Sequence, residues 1–125
     1  IVQGVGLLHT VAGTDYCRNI LLPKHVAVYE QNLNTYLVRL TILAAHVEMA
    51  KAAVDNEFKN EVLQQIRRSL EDNVPNVRRA AILGLMDIEI DNNFFKAQLE
   101  PVLRKLINDD DEDCRQAAQQ ALDMK

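Results

Sequence analysis

Arg39, Arg78 and Arg115 recur at intervals of 39 and 37 residues, and Asp72 and Asp109 each stand six residues ahead of the second and third. A planar guanidinium makes paired, charge-assisted hydrogen bonds to carboxylates. The spacing therefore offers two kinds of chemistry. One is an internal ladder, each arginine bonding the aspartates and helix ends of adjacent units. The other is a row of contacts to the carboxylates of a partner. Arg39 has no aspartate at the matching offset, where Leu33 stands instead, so partner contact weighs more heavily for it.

The remaining reactive side chains do not assemble into a reaction centre. His9, His25 and His46 fall on helical faces with no cysteine or carboxylate at ligand spacing, so no metal is expected. Cys17 and Cys114 are far apart and read as small core residues of a reduced, cytoplasmic or nuclear protein. Gly4-Val5-Gly6 lacks both a third glycine and a preceding strand, so it is no dinucleotide loop. The acidic run 109–113 fails as a calcium loop, since Cys114 occupies the glycine position and Gln120 that of the bidentate glutamate. It reads instead as a solvated turn and helix N-terminus, where negative charge favours the helix dipole. No nucleophile and base stand paired. The expectation is a noncatalytic protein with no cofactor and no small-molecule substrate.

Composition sets the class. The chain has 125 residues, 48% of them apolar and 26% charged, which describes one ordinary soluble domain with a core of its own. Its net charge of −4 divides into +1 over residues 1–54, −3 over 55–91 and −2 over 92–125. No face gathers the lysine and arginine that nucleic-acid binding by counterion release requires. No apolar stretch approaches the ~20 residues of a membrane span, and residues 1–6 do not resemble a signal peptide.

Few glycines, prolines and aromatics, with abundant alanine and leucine, favour helices over strands. Val77, Ala80, Ala81, Leu85 and Ile88 recur at three- and four-residue steps, the period of a helix with one buried face. The pattern predicts a partial helix over 1–12, then pairs 15–31 with 35–53, 57–71 with 75–90, and 92–107 with 111–124. Asp15 with Gly13 and Thr14, then Asp55, then Asp91 with Asn92 and Asn93, supply stops and caps. Pro75 suits the first turn of its helix. Pro101 stands inside a periodic segment, whose first turn is therefore expected to be kinked or offset. Phe94 and Phe95 should pack the last hairpin.

These helices repeat. Asn76-Val77-Arg78 matches Asp113-Cys114-Arg115 and Leu37-Val38-Arg39, giving a period near 38 residues. Gln64 and Pro101 stand fourteen residues before their arginines. Pro23 stands sixteen before Arg39, so the first turn should be two residues longer. Units follow at 14–54, 55–91 and 92–125, with 1–13 as the second helix of a preceding unit.

Pro101, Asp109 and Cys114-Arg115 together resemble the pattern of HEAT repeats, helical hairpins of roughly 40 residues with a proline in the first helix and an Asp…Val-Arg pattern about the turn. Asp72…Val77-Arg78 keeps the second half and has Gln64 for the proline. The resemblance runs from about residue 15 to 125 and implies an all-α, α-α superhelix of about three hairpins plus one leading helix. Within HEAT repeats the chain is most similar to the last repeats of the scaffold-subunit family of protein phosphatase 2A. Ile20-Leu21-Leu22-Pro23-Lys24, residues 34–41, residues 72–78 and residues 99–106 carry that likeness, in the family's order and spacing. Gln64, the lengthened first turn and Val38 depart from it. The departures leave open a related scaffold, such as a regulatory subunit of protein phosphatase 4.

A hairpin of this kind cannot bury its apolar face alone, so neighbours stack, and stability is shared among repeats. Exposed Ile1, Val2 and Val5 at the start, and the polar Gln116, Gln119, Gln120 and Asp123 of the last helix, suggest the C-terminal fragment of a longer array. The resemblance implies that the turns within each unit hold a Ser/Thr phosphatase catalytic subunit, with a variable regulatory subunit as a further partner. By position these are Tyr36, Leu37, Val38 and Arg39, then Asn73, Pro75, Asn76 and Arg78, then Asp113 and Arg115. Tyr36 is either an amphipathic anchor or half-buried packing. The alternative is a HEAT-type adaptor of another class, such as a transport receptor or chromosome-associated adaptor. It would bind through its second helices, at Glu48, Lys51 and Gln120.

Overall fold

The computed structural model of the protein describes residues 14–31 and 35–124, and among these described residues there are six helices. Helix α1 covers residues 14–31, α2 is Tyr36–Ala52, α3 is Asn56–Leu70, α4 is Pro75–Met86, α5 covers residues 92–106 and α6 is Glu112–Met124. No strand occurs among the described residues. The expected helix over 1–12, and the Leu33 position of the first turn, lie outside them. The described residues are all-α, as expected, and each expected helix from residue 15 onward has its counterpart.

The caps are those the sequence offers. Asp55 Oδ1 accepts the Glu57 N–H at 3.0 Å, and Asp91 Oδ2 accepts the Phe94 N–H at 3.1 Å. Each satisfies a helix-end donor that has no intrahelical partner. Pro75 opens α4, where its missing N–H costs nothing. That helix ends at Met86, short of the expected residue 90. The Asp87 N–H bonds back to the Gly84 and Leu85 carbonyls and tightens the last turn, while Ile88 just beyond it is still buried, at 2% exposure.

Both helices with an internal proline carry a π-helical turn ahead of it. In α1, Thr14–Tyr16 leads into a π turn at Cys17–Leu21, then Leu22–Gln31. In α5, Asn92–Phe94 leads into Phe95–Leu99, then Glu100–Leu106. Proline donates no N–H and its ring presses on the carbonyl four residues back. The widened turn relieves that pressure: the Leu22 N–H reaches the Cys17 carbonyl and the Glu100 N–H the Phe95 carbonyl, each five residues back. The disturbance from Pro101 thus falls one turn later than the first turn of its helix. In α3, with Gln64 at the corresponding place, the helix runs without interruption.

The chain divides into two compact units, Ile1–Gln65 and Ile66–Lys125, with the boundary inside α3. In the first, α1 packs on α2, with Leu22, Leu43, Met49, Phe58 and Leu63 in the core. Arg18 of α1 ties down the start of α3, with Asp55 and Glu61 each at 3.2 Å and its guanidinium 5.7 Å from the centre of the Phe58 ring. In the second unit α6 packs on both α4 and α5, around Ile82, Leu85, Leu99, Leu103 and Ala118. Arg67 Nε donates to the Gln98 carbonyl at 2.8 Å, joining the end of α3 to α5. Cys17 and Cys114 are fully buried and unbridged, as core residues should be. Phe95 is buried and Phe94 half-buried.

Candidate partner-binding surface

Two turns of the second unit, between α3 and α4 and between α5 and α6, are each built by an aspartate and an arginine six residues on. Asp72 Oδ1 accepts the Val74 N–H at 2.9 Å, and Asp109 Oδ1 accepts the Asp111 N–H at 2.9 Å. A short carboxylate that bonds two residues ahead fixes the chain reversal. The arginine then holds the turn from the other side: Arg78 Nη1 donates to the Asp72 carbonyl at 2.9 Å, and Arg115 Nη1 to the Asp109 carbonyl at 2.7 Å. The six-residue offset is therefore the reach of a guanidinium from the first turn of a helix back to the entrance of its own turn.

Arg78 does more, since its Nη2 meets Asp109 Oδ1 at 2.8 Å, bridging from α4 to the next turn. Burial opposes the charge on both groups, but the bond prevails. The Arg78 guanidinium is held above its usual range. The Asp109 carboxyl is held below its own, with the Asp111 N–H and the Arg115 charge assisting. Asp111 Oδ2 accepts the Cys114 N–H at 2.9 Å and caps α6, while the Cys114 thiol donates to the Pro75 carbonyl at 3.3 Å. Burial, with Asp111 and the Asp109 charge, pushes that thiol up to about 11, so it stays protonated as a donor. The acidic run is thus no uniformly solvated turn: Asp109 and Asp111 are half-buried and committed to internal bonds, while Asp110, Glu112 and Asp113 face solvent.

The residues singled out for partner contact divide by exposure. Tyr36 at 39% and Leu37 at 61% are exposed, and so are Asn73, Pro75, Asn76 and Asp113. Val38, Arg78 and Arg115 are half-buried. Arg39 is 2% exposed and offers a partner no surface, which corrects the weight placed on it as a contact. Arg78 and Arg115 take the internal role, as braces for the turns. Asn73 lies on the turn that Arg78 braces, and Pro75 and Asn76 open α4 directly after it. Asp113 stands beside Arg79, Leu83 and Gln120 around a cavity of about 170 Å³ on α4 and α6.

Two features escape the sequence. His25 of α1 and His46 of α2, far apart in the chain, lie with ring centres 5.5 Å apart and ring planes tilted by 40°. Burial lowers the pKa of both, and burial together with the neighbouring His25 takes His46 down to about 3. The only signal was a histidine on an otherwise apolar face of each helix. The second is a cavity of about 310 Å³ at the ends of α3 and α5, floored by Leu70, Val102 and Leu106. Among the described residues no group of three or more histidine, cysteine or acidic side chains could hold a metal ion, and no helix is long and apolar enough to cross a membrane.

A family model described as HEAT repeats matches residues 38–123, more than half of the chain. The chain belongs to the HEAT-repeat family. No curated protein matches it. HEAT repeats serve as protein-interaction scaffolds, and the turn and helix faces above are the surfaces such a scaffold presents. The braced Asp-Arg turns of this HEAT-repeat chain fall within the matched residues.

Proposed function

We propose that this chain is a noncatalytic scaffold that docks the catalytic subunit of a 2A-type Ser/Thr protein phosphatase on the turns within its repeats. The observation that carries the reading is the exposure of Asn73, Pro75 and Asn76, at the turn and helix start that Arg78, Asp72 and Asp109 brace. A surface that is ordered before binding loses little entropy on association. Tyr36 and Leu37 add an exposed aromatic and an exposed aliphatic side chain at the start of α2, the kind of anchor that dominates binding energy. The resemblance of residues 20–24, 34–41, 72–78 and 99–106 to the phosphatase scaffold subunits supports this choice of partner. The buried, unbridged cysteines suit a reducing compartment, cytoplasmic or nuclear.

The test is capture of purified phosphatase 2A catalytic subunit by the immobilised chain, beside a Tyr36→Ala/Leu37→Ala variant. Capture by the wild type and loss in the folded variant is the expected result. A folded wild type that captures nothing would count against the phosphatase reading.

One observation favours a second reading. The cavity bounded by Arg79, Leu83, Gln116 and Gln120 opens on the second helices α4 and α6, where an adaptor of another class would bind its partner. On that reading Gln120→Ala weakens binding and the Tyr36/Leu37 variant does not. Lys51, 3.7 Å from Glu48 on α2, belongs to the same reading.

A further inference from the structure

Packing alone does not account for the histidine pair between α1 and α2. His25 Nδ1 and His46 Nε2 are both buried, and neither has a hydrogen-bond partner among the described residues. A buried polar atom without a bond carries the full cost of its desolvation. His46 is 3% exposed and His25 half-buried. Burial lowers the pKa of both rings, so at neutral pH each is uncharged and keeps one nitrogen lone pair. The spacing of the rings fits a shared ion. An ion bonded at about 2.0–2.1 Å to one nitrogen of each ring, in line with it, sits about 3.2 Å from either ring centre. The centres then fall about 6.4 Å apart for a straight arrangement and about 5.2 Å apart for a tetrahedral one. The observed 5.5 Å corresponds to an angle of about 120°, that of a trigonal site with one further donor.

We propose that the α1–α2 hairpin holds a copper(I) ion between His25 Nδ1, His46 Nε2 and the thioether of Met49. Met49 stands three residues on from His46, on the same face of α2, and is fully buried. All three donors are neutral, and neither ring owes its titration to a carboxylate. A dication buried here would lack a counter-charge. Copper(I) carries a single charge, accepts few donors and prefers soft ones, thioether among them, with imidazole as a partner ligand. The site lies within one hairpin and is independent of which protein the chain docks.

The probe is copper(I) itself, supplied anaerobically as its coloured bicinchoninate complex to the full 125-residue chain. Cys17→Ala and Cys114→Ala are introduced together beforehand, so that no thiol competes for the ion. The chain should withdraw one copper ion per molecule, and its melting temperature should rise as copper is added. Nitrogen NMR of the histidine rings should show His25 Nδ1 and His46 Nε2 shifting while His9 does not. His25→Leu and His46→Leu, each verified as folded by circular dichroism, should lose the bound ion. Met49→Leu keeps the core filled and should weaken binding by about tenfold. If His46→Leu fails to fold, the half-buried His25 position decides the question. No withdrawal of copper by the folded chain, undiminished withdrawal in His25→Leu, equal affinity in Met49→Leu, or shifts confined to His9 would overturn the proposal.

Discussion

Asp109 accepts Arg78 Nη2 at 2.8 Å across 31 residues of chain, with the two side chains only 10% and 14% exposed. The same carboxylate accepts the Asp111 N–H, and the Asp109 carbonyl accepts Arg115. One residue therefore shapes its own turn, receives the arginine of its own hairpin and receives the arginine of α4. A repeat period built around Asp and Arg is explained by that triple use: each unit supplies an arginine for its own turn, and the aspartate of the next turn can take a second one.

Removing this carboxylate leaves a mostly buried guanidinium without its counter-charge. Asp109→Ala should cost about 3 kcal/mol, because both the turn bond and the ion pair are lost. Asp109→Asn retains an oxygen for the Asp111 N–H and should cost roughly half as much. Urea unfolding of the two variants measures the difference. The folded carboxyl titrates below its unfolded value, so between the two values the unfolded chain holds more protons. The stabilisation is complete above about pH 4 and is lost as pH falls through the folded pKa.

His46 gives a second acid sensitivity in a different window. It is 3% exposed beside His25, and its folded pKa of about 3 lies well below the ~6.5 of an unfolded histidine. The neutral ring is what the fold accommodates, so its contribution is complete above about pH 6.5 and is lost as pH falls toward 3. At about pH 5 the loss should be roughly 2 kcal/mol. His46→Leu should flatten the melting temperature between about pH 7 and 5, leaving the steeper fall below pH 4 that Asp109 contributes. An unchanged pH profile in this variant would mean that His46 does not govern that window.

The arginine-aspartate offset is legible in the sequence because a six-residue spacing across a turn admits few geometries, and the structure realises it twice with nearly the same bonds. The helices are legible for a similar reason, as period and caps agree at Asp55, Pro75 and Asp91. Arg39 is misjudged because burial depends on what packs over it. A missing aspartate at one offset does not reveal that the side chain is 2% exposed. The His25–His46 contact and the cavity floored by Leu70 and Leu106 each require residues from two helices whose rotation about their axes no single-helix pattern fixes.

Prolines test how the first helices tolerate interruption. Pro23 and Pro101 each follow a π turn that accepts the missing donor, whereas α3 keeps a continuous hydrogen-bond ladder through Gln64. Gln64→Pro should therefore cost about 3 kcal/mol, the loss expected for proline in a regular helix interior. Pro101→Ala should change stability by less than about 1 kcal/mol, because the turn ahead of it already spends its bonds five residues back. Equal losses at the two positions, measured by thermal unfolding, would show that the π turn offers no accommodation.

Arg39 and the Tyr36-Leu37 pair separate stability from binding within one turn of α2. Arg39 is enclosed, so Arg39→Ala should lose its packing, at a cost of about 2–4 kcal/mol. Tyr36→Ala with Leu37→Ala truncates two exposed side chains and leaves the Thr41 hydroxyl bonded to the Leu37 carbonyl at 3.1 Å. Stability should then change by no more than about 0.5 kcal/mol. Capture of the phosphatase catalytic subunit should behave in the opposite sense, failing in the surface variant while Arg39→Ala, held well below its lowered melting temperature, still binds. If the surface variant instead melts early and the Arg39 variant does not, the assignment of inner and outer faces to α2 is wrong.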